Sequence, residues 1–155
     1  MLVTLSYYKN VFRAGITQVV TDLEFPFYEK QAERELGRHT FGLLSSVVVS
    51  EAGVATVVVN TTTYTLVLAD IQDCICEIAE YLCLCAKSYN AAQGGNLTSY
   101  SNDGDSGSVD KSMFSEASKK QKIRTIAKTY LSGTILLHAG VDLSLGGDYC
   151  ECCES

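Results

Sequence analysis

Leu68-Ala69-Asp70-Ile71-Gln72-Asp73-Cys74-Ile75-Cys76-Glu77-Ile78-Ala79-Glu80-Tyr81-Leu82-Cys83-Leu84-Cys85 is the stretch whose reading decides the fold. Leu68, Ile71, Ile75, Ile78, Leu82, Cys85 and Tyr89 return at alternating steps of three and four residues. That rhythm stacks them on one face of a helix, because residues three and four apart are neighbours on a 3.6-residue turn. Asp73, Glu77, Glu80 and Lys87 occupy the other side, where water solvates charge. The pattern predicts one long amphipathic helix from about Thr65 to Ala92, stopped by Gly94-Gly95 and central to the core.

Before this helix, Val47-Val48-Val49 and Val57-Val58-Val59 flank Ser50-Glu51-Ala52-Gly53. β-Branched side chains are stiff at χ1 and favour extended chain, so residues 46–59 read as two short strands around a turn. A lone hairpin is marginal in water and must pack on something. Further upstream, Phe25, Tyr28, Ala32 and Leu36 predict a helix over about Asp22–Thr40. In that reading Asp22 is the N-cap, Pro26 lies in the first turn, and Gly42 is the C-terminal glycine. Glu29, Lys30, Glu33 and Arg34 are expected on its solvated side. A short first helix spans residues 4–15, capped by Thr4, with Leu5, Tyr8 and Phe12 on one face and Gly15 at its end; residues 16–21 link it onward.

Downstream, residues 93–113 are poor in apolar side chains and read as a long polar loop anchored by Tyr100 and Val109. Structureless loops beyond about 12–15 residues are uncommon unless functional or disordered. The final helix runs from about Glu116 to Ser132, with Ser115 as N-cap and Gly133 as C-terminal glycine; Ile123, Ile126, Ala127, Tyr130 and Leu131 form its apolar face. Lys119, Lys120, Lys122, Arg124 and Lys128 line that helix. They are open to three readings: a solvated face, a surface pairing with acidic groups of a neighbouring subunit, or a surface facing DNA. Ile135 to Val141 then form a detached apolar segment, and the tail from Asp142 carries four acidic residues and no basic ones.

The 155 residues suit one domain, and a chain of this size buries roughly 68–70% of the surface its unfolded form exposes. With 46% hydrophobic and 19% charged residues, the composition is globular and not that of a disordered chain. Twelve Lys and Arg against 18 Asp and Glu leave a net charge of −6, which excludes nucleic-acid binding by the surface as a whole. Met1-Leu2-Val3-Thr4 shows no secretory n-region. The longest uncharged run, Ala52–Ala69, is interrupted by Asn60-Thr61-Thr62-Thr63 and reads poorly as a membrane span, so a cytoplasmic site of synthesis and no membrane partner are expected.

The motifs that carry chemistry elsewhere are weak in this chain. Gly104-Asp105-Ser106-Gly107 looks like a protease nucleophile loop, but that chemistry needs a histidine base and an orienting carboxylate. The two histidines, His39 and His138, sit in no such motif and read as capping or packing residues. On a helix Cys74 and Cys76 point about 200° apart. Cys74 with Cys85, and Cys76 with Cys83, share faces two or three turns apart, without zinc-ligand spacing, so these four cysteines read as core hydrophobes. Cys150, Cys152 and Cys153 in the acidic tail are the thiols most open to soft metals or cross-linking, against the simpler reading of a frayed terminus. Asn60-Thr61-Thr62 and Asn96-Leu97-Thr98 match the glycosylation pattern, which is idle without a secretory route.

Four stretches taken in order carry a family likeness. They are Ser6-Tyr7-Tyr8, then Phe25 through Arg38-His39-Thr40-Phe41-Gly42, then Ala69 through Glu80, and last Ser99-Tyr100-Ser101-Asn102-Asp103-Gly104 with Tyr130-Leu131-Ser132-Gly133-Thr134, Leu136-Leu137 and Gly140-Val141. On these residues the chain resembles the small head–tail connector (adaptor) proteins of tailed bacteriophages and prophages. The resemblance implies a virion structural protein of the neck, a dodecameric ring beneath the portal that extends the DNA channel and docks a head-completion, stopper or tail protein. DNA would be cargo only. The valine-rich 46–59 segment and the cysteine-bearing tail depart from the family pattern.

The expectation is therefore a mainly α protein: a small bundle of three to four helices with one short β-hairpin and a long polar loop. Residues 1–141 would form the connector domain and residues 142–155 an acidic tail. No catalytic residue, metal ligand or cofactor is expected. Partner contacts are expected at Tyr100, Val109, Lys119, Lys120, Lys122, Leu136, Leu137 and Val141. The alternatives are a small cytoplasmic thiol- or metal-binding protein using the C-terminal cysteines, and a helical regulator that binds another protein.

Overall fold

The long helix α3 spans Leu68–Gln93, and Ile71, Cys74, Ile75, Cys76, Ile78, Ala79 and Cys83 on it are buried. That set covers well over one stripe, which happens only when a helix is packed from several sides. The structure, a computed structural model, describes residues 2–93, 99–102, 105–108 and 115–138. Helix α1 (Leu5–Tyr7) continues into a π-helical turn at Tyr8–Phe12. It is followed by α2 (Phe25–His39), a 3₁₀ turn (Leu43–Ser46), and strands β1 (Val48–Val49), β2 (Ala55–Val59) and β3 (Thr62–Leu66). After α3 come β4 (Ser99–Asn102), β5 (Asp105–Ser108), α4 (Glu116–Leu131) and α5 (Ile135–His138). Helices α2 and α4 both pack on α3, and the protein is mainly α with a small antiparallel sheet, as expected.

Several local expectations hold in detail. Thr4 caps α1 through its side chain, which accepts from the Tyr7 amide, and the Ser115 hydroxyl caps α4 by accepting from Ser118. Pro26 sits in the first turn of α2. The four buried residues of α4 are Ile123, Ile126, Ala127 and Leu131, with Tyr130 half-buried beside them.

Other expectations are corrected. Helix α2 begins at Phe25 with Glu24 as cap, and Asp22 instead forms an ion pair with Lys9 at 2.8 Å. Phe25, Glu29, Ala32 and Leu36 are its buried residues, so Glu29 lies in the core stripe and not on the solvated face. The helix ends in a Schellman-type turn, with the Gly42 amide bonding the Gly37 carbonyl at 2.9 Å. Gly42 (φ 81°) is left-handed as a C-terminal glycine should be, and Phe41 (φ 52°) before it takes left-handed backbone too.

The hairpin is a three-stranded sheet, ordered β1-β2-β3. Residues 62–66, assigned from sequence partly to α3, instead pair with β2, Val59 opposite Thr62 and Ala55 opposite Leu66. Asn60 (φ 48°) and Thr61 (φ 67°) make the two-residue turn, the type I′ geometry that suits the twist of a hairpin. Ala55, Val57 and Leu66 are buried against the core, which satisfies the packing need of the sheet.

Part of the polar 93–113 segment is a second hairpin, β4 with β5, Tyr100 opposite Gly107. The sequence carried a hairpin signal there in Asp103-Gly104. The apolar segment after α4 is not detached: Gly133 (φ 83°) turns the chain back, and Ile135 and Leu136 join the core.

Candidate functional site

The candidate site is a basic groove between α2 and α4. Arg34 and Arg38 lie one turn apart on α2, and Lys120, Arg124 and Lys128 one turn apart on α4, so each helix presents a row of cations. Packing both helices on α3 brings the rows together. One depression of about 320 Å³ is lined by Arg34, Arg38, Lys119 and Lys120, among others. An adjoining one of about 730 Å³ is lined by Arg38, His39, Phe41, Lys120, Arg124 and Lys128, among others. Arg38 and Lys120 belong to both.

The charge balance of the groove is uneven. At its first end Arg38 pairs with Glu35, and Lys119 with Glu116 at 3.1 Å. Among the described residues no carboxylate lies within ion-pair distance of Lys120, Arg124 or Lys128. His39 reports the local field: burial holds its imidazole below the usual range, and the cations of Arg124, Arg38 and Lys120 push the same way against Glu35. Phe41 is 71% exposed at the groove lip, a large apolar ring held at positive φ. A β-branched or bulky residue rarely adopts that backbone without a structural or functional reason. Guanidinium and ammonium donors beside an exposed ring and apolar side chains of α4 suit an anionic segment with some apolar content.

The residues expected from sequence to touch partners divide among several places. Lys119 and Lys120 line the groove, and Leu137, half-buried, lines its far end with His138. Lys122 is exposed but lines neither depression. Leu136 is fully buried and unavailable to a partner, because α5 folds back onto α4. Tyr100 lies on β4, while Val109 and Val141 fall outside the described residues. Sequence reading missed Arg34, Arg38, His39 and Phe41 as site residues. The four-residue step of Arg34 and Arg38 was visible, but which helix they would face was not.

The acidic side of α3, expected to be solvated, is a docking row. Tyr7 donates to Asp73 (2.9 Å), Tyr130 to Glu77 (2.7 Å) and Tyr8 to Glu80 (2.8 Å). Glu80 is buried and also held by the Arg13 guanidinium, while the Tyr8 hydroxyl accepts from the amides of Val19 and Val20. These tyrosines all have their hydroxyl protons held more firmly than usual, chiefly by burial. Cys74, Cys76 and Cys83 pack in the core, whereas Cys85, expected there with them, is only half-buried near the C-terminal end of α3; burial, with a smaller contribution from Glu77, pushes the Cys74 thiol up to about 12. Cys150, Cys152 and Cys153 lie outside the described residues. Among the described residues no helix is long and apolar enough to cross a membrane.

Compared with protein-family models, with curated proteins and with solved structures, the chain matches none.

Proposed function

We propose that this chain is a non-enzymatic connector subunit of the tailed-phage neck, one of a ring of copies between the portal and the head-completion or tail proteins. The reading starts from the ordered stretches that resemble the connector family. The observation that carries it furthest is the segregation of charge. A subunit with net charge −6 concentrates at least five cations in one groove. A ring is built by head-to-tail contacts, in which one face of a subunit meets a different face of the next. A basic face on an acidic protein suits that geometry, since complementary potentials steer and register such contacts. The groove would then take the acidic surface of a neighbour, with the channel DNA as cargo.

The test is the mass of the purified chain alone and mixed with the portal of the same phage, read by native mass spectrometry and electron microscopy. The expected outcome is a multi-copy ring seated coaxially on the portal. A chain that ignores the portal, or sits elsewhere on the particle, removes the proposal. The thiol- and metal-binding alternative rests on the tail cysteines alone, and metal analysis of the purified protein separates it.

A further inference from the structure

We infer that the acidic C-terminal tail, residues 142–155, docks back into the basic groove between α2 and α4 of its own chain. Two observations point there. The first is where the described chain stops: Leu137 and His138, its last two described residues, line the larger depression. The second is charge. Lys120, Arg124 and Lys128 have no carboxylate partner among the described residues, while Asp142, Asp148, Glu151 and Glu154 are the tail's charges and no Lys or Arg accompanies them.

The reach is sufficient. At ~3.3–3.6 Å per extended residue, Asp142 can lie up to ~14 Å and Asp148 up to ~35 Å from His138. At 1.5 Å rise per residue, Lys128 to Lys120 spans only ~12 Å of α4. Because α5 follows α4 and turns back on it, the tail can run antiparallel along the α4 cations toward Arg38. Leu143, Leu145 and Tyr149 supply apolar side chains for the exposed Phe41 ring and the half-buried Leu137 in the groove wall. Tethering makes this partner effectively millimolar, which favours it over a free anion of similar charge. The inference concerns the free chain and does not rest on the connector reading; under that reading, the tail is what a neighbouring subunit displaces.

Zero-length carbodiimide coupling of the full chain under reducing conditions tests it, on an equal mixture of ¹⁴N- and ¹⁵N-labelled protein with peptide mapping. The Lys119–Glu116 pair, already 3.1 Å apart, serves as the internal positive control. Amide links are expected from Lys120 or Lys128 to the tail carboxylates, within one isotope population. Their yield should fall several-fold in the full-chain double variant R38E/R124E, which keeps both lysines and alters two exposed side chains. Circular dichroism checks that this variant is folded. Absence of tail links while the control link forms would overturn the inference. So would yields unchanged in R38E/R124E, the mark of a tail meeting lysines at random. Links of mixed isotope would overturn it in favour of the tail of a second copy.

Discussion

Glu29 shows how far one side chain can depart from what its chemistry suggests. It occupies the second place in the buried set Phe25, Glu29, Ala32, Leu36, with 0% exposure. Neither carboxylate oxygen makes a well-formed hydrogen bond, although the Glu33 carboxylate and the Val3 amide lie near enough to act on its proton in opposite directions. Burial is the main reason its carboxyl is pushed up to about 7; the nearby Glu33 carboxylate adds to this, since only a protonated Glu29 can donate to it. The folded protein therefore holds a proton on Glu29 from the ordinary carboxyl range near 4.5 up to about 7, where the unfolded chain has already released it. In that window the native state binds more protons, so stability falls as pH rises, and levels off above it. The expected loss is about 3 kcal/mol across the window. Glu29→Gln should flatten that part of the stability curve and be the more stable protein at pH 8, measured by urea midpoints at pH 5 and pH 8. An unaltered pH profile would place the charge elsewhere. Glu80 is the contrasting case: the same side chain and also buried, it is satisfied by Tyr8 and Arg13. Both carboxylates were assigned to solvated faces, because helical periodicity reports one stripe and not the second neighbour that covers the flank.

At the scale of elements, what the sequence made legible follows the local rules of backbone chemistry. The caps at Thr4 and Ser115, the proline in the first turn of α2 and the period of α3 were readable because each depends on residues within a turn of one another. β3 was not, since Thr62-Thr63-Tyr64-Thr65-Leu66 becomes a strand only through its ladder to β2. Its turn, Asn60-Thr61, lacks the glycine that announces such hairpins. Thr61 at φ 67° places a β-branched residue in the left-handed region, which costs roughly 1–2 kcal/mol. Glycine removes that cost but adds freedom to the unfolded chain, so Thr61→Gly should raise stability by about 0.5–1 kcal/mol. Thermal and urea unfolding of the variant check this, and a lowered midpoint would mean that the threonine side chain contributes more than its backbone costs. The candidate site was half legible for the same reason. The α4 lysines are a run, whereas Arg34, Arg38 and Phe41 join them only across the α2–α4 contact.

For the whole molecule the governing feature is the separation of charge, and its prediction is about assembly. If the chain is the proposed connector subunit, reversing Lys120, Arg124 and Lys128 together should weaken ring formation on the portal by at least tenfold, whereas Lys122→Glu, outside both depressions, should leave it nearly unchanged. Quantifying bound copies per portal at matched ionic strength checks this, and equal losses from both variants would mean that net charge, not the groove, governs assembly. Composition, period and turn chemistry by themselves determined that this chain is mainly α, that α3 lies at its centre and that its cysteines at 74, 76 and 83 are core material, because each rests on interactions between near neighbours along the chain. Only the tertiary structure decided that Leu136 is core, that the acidic edge of α3 serves tyrosines of two other elements and that two basic rows share one groove. Those facts depend on which faces meet, and a face that is polar in isolation becomes interior as soon as a second element supplies its hydrogen bonds.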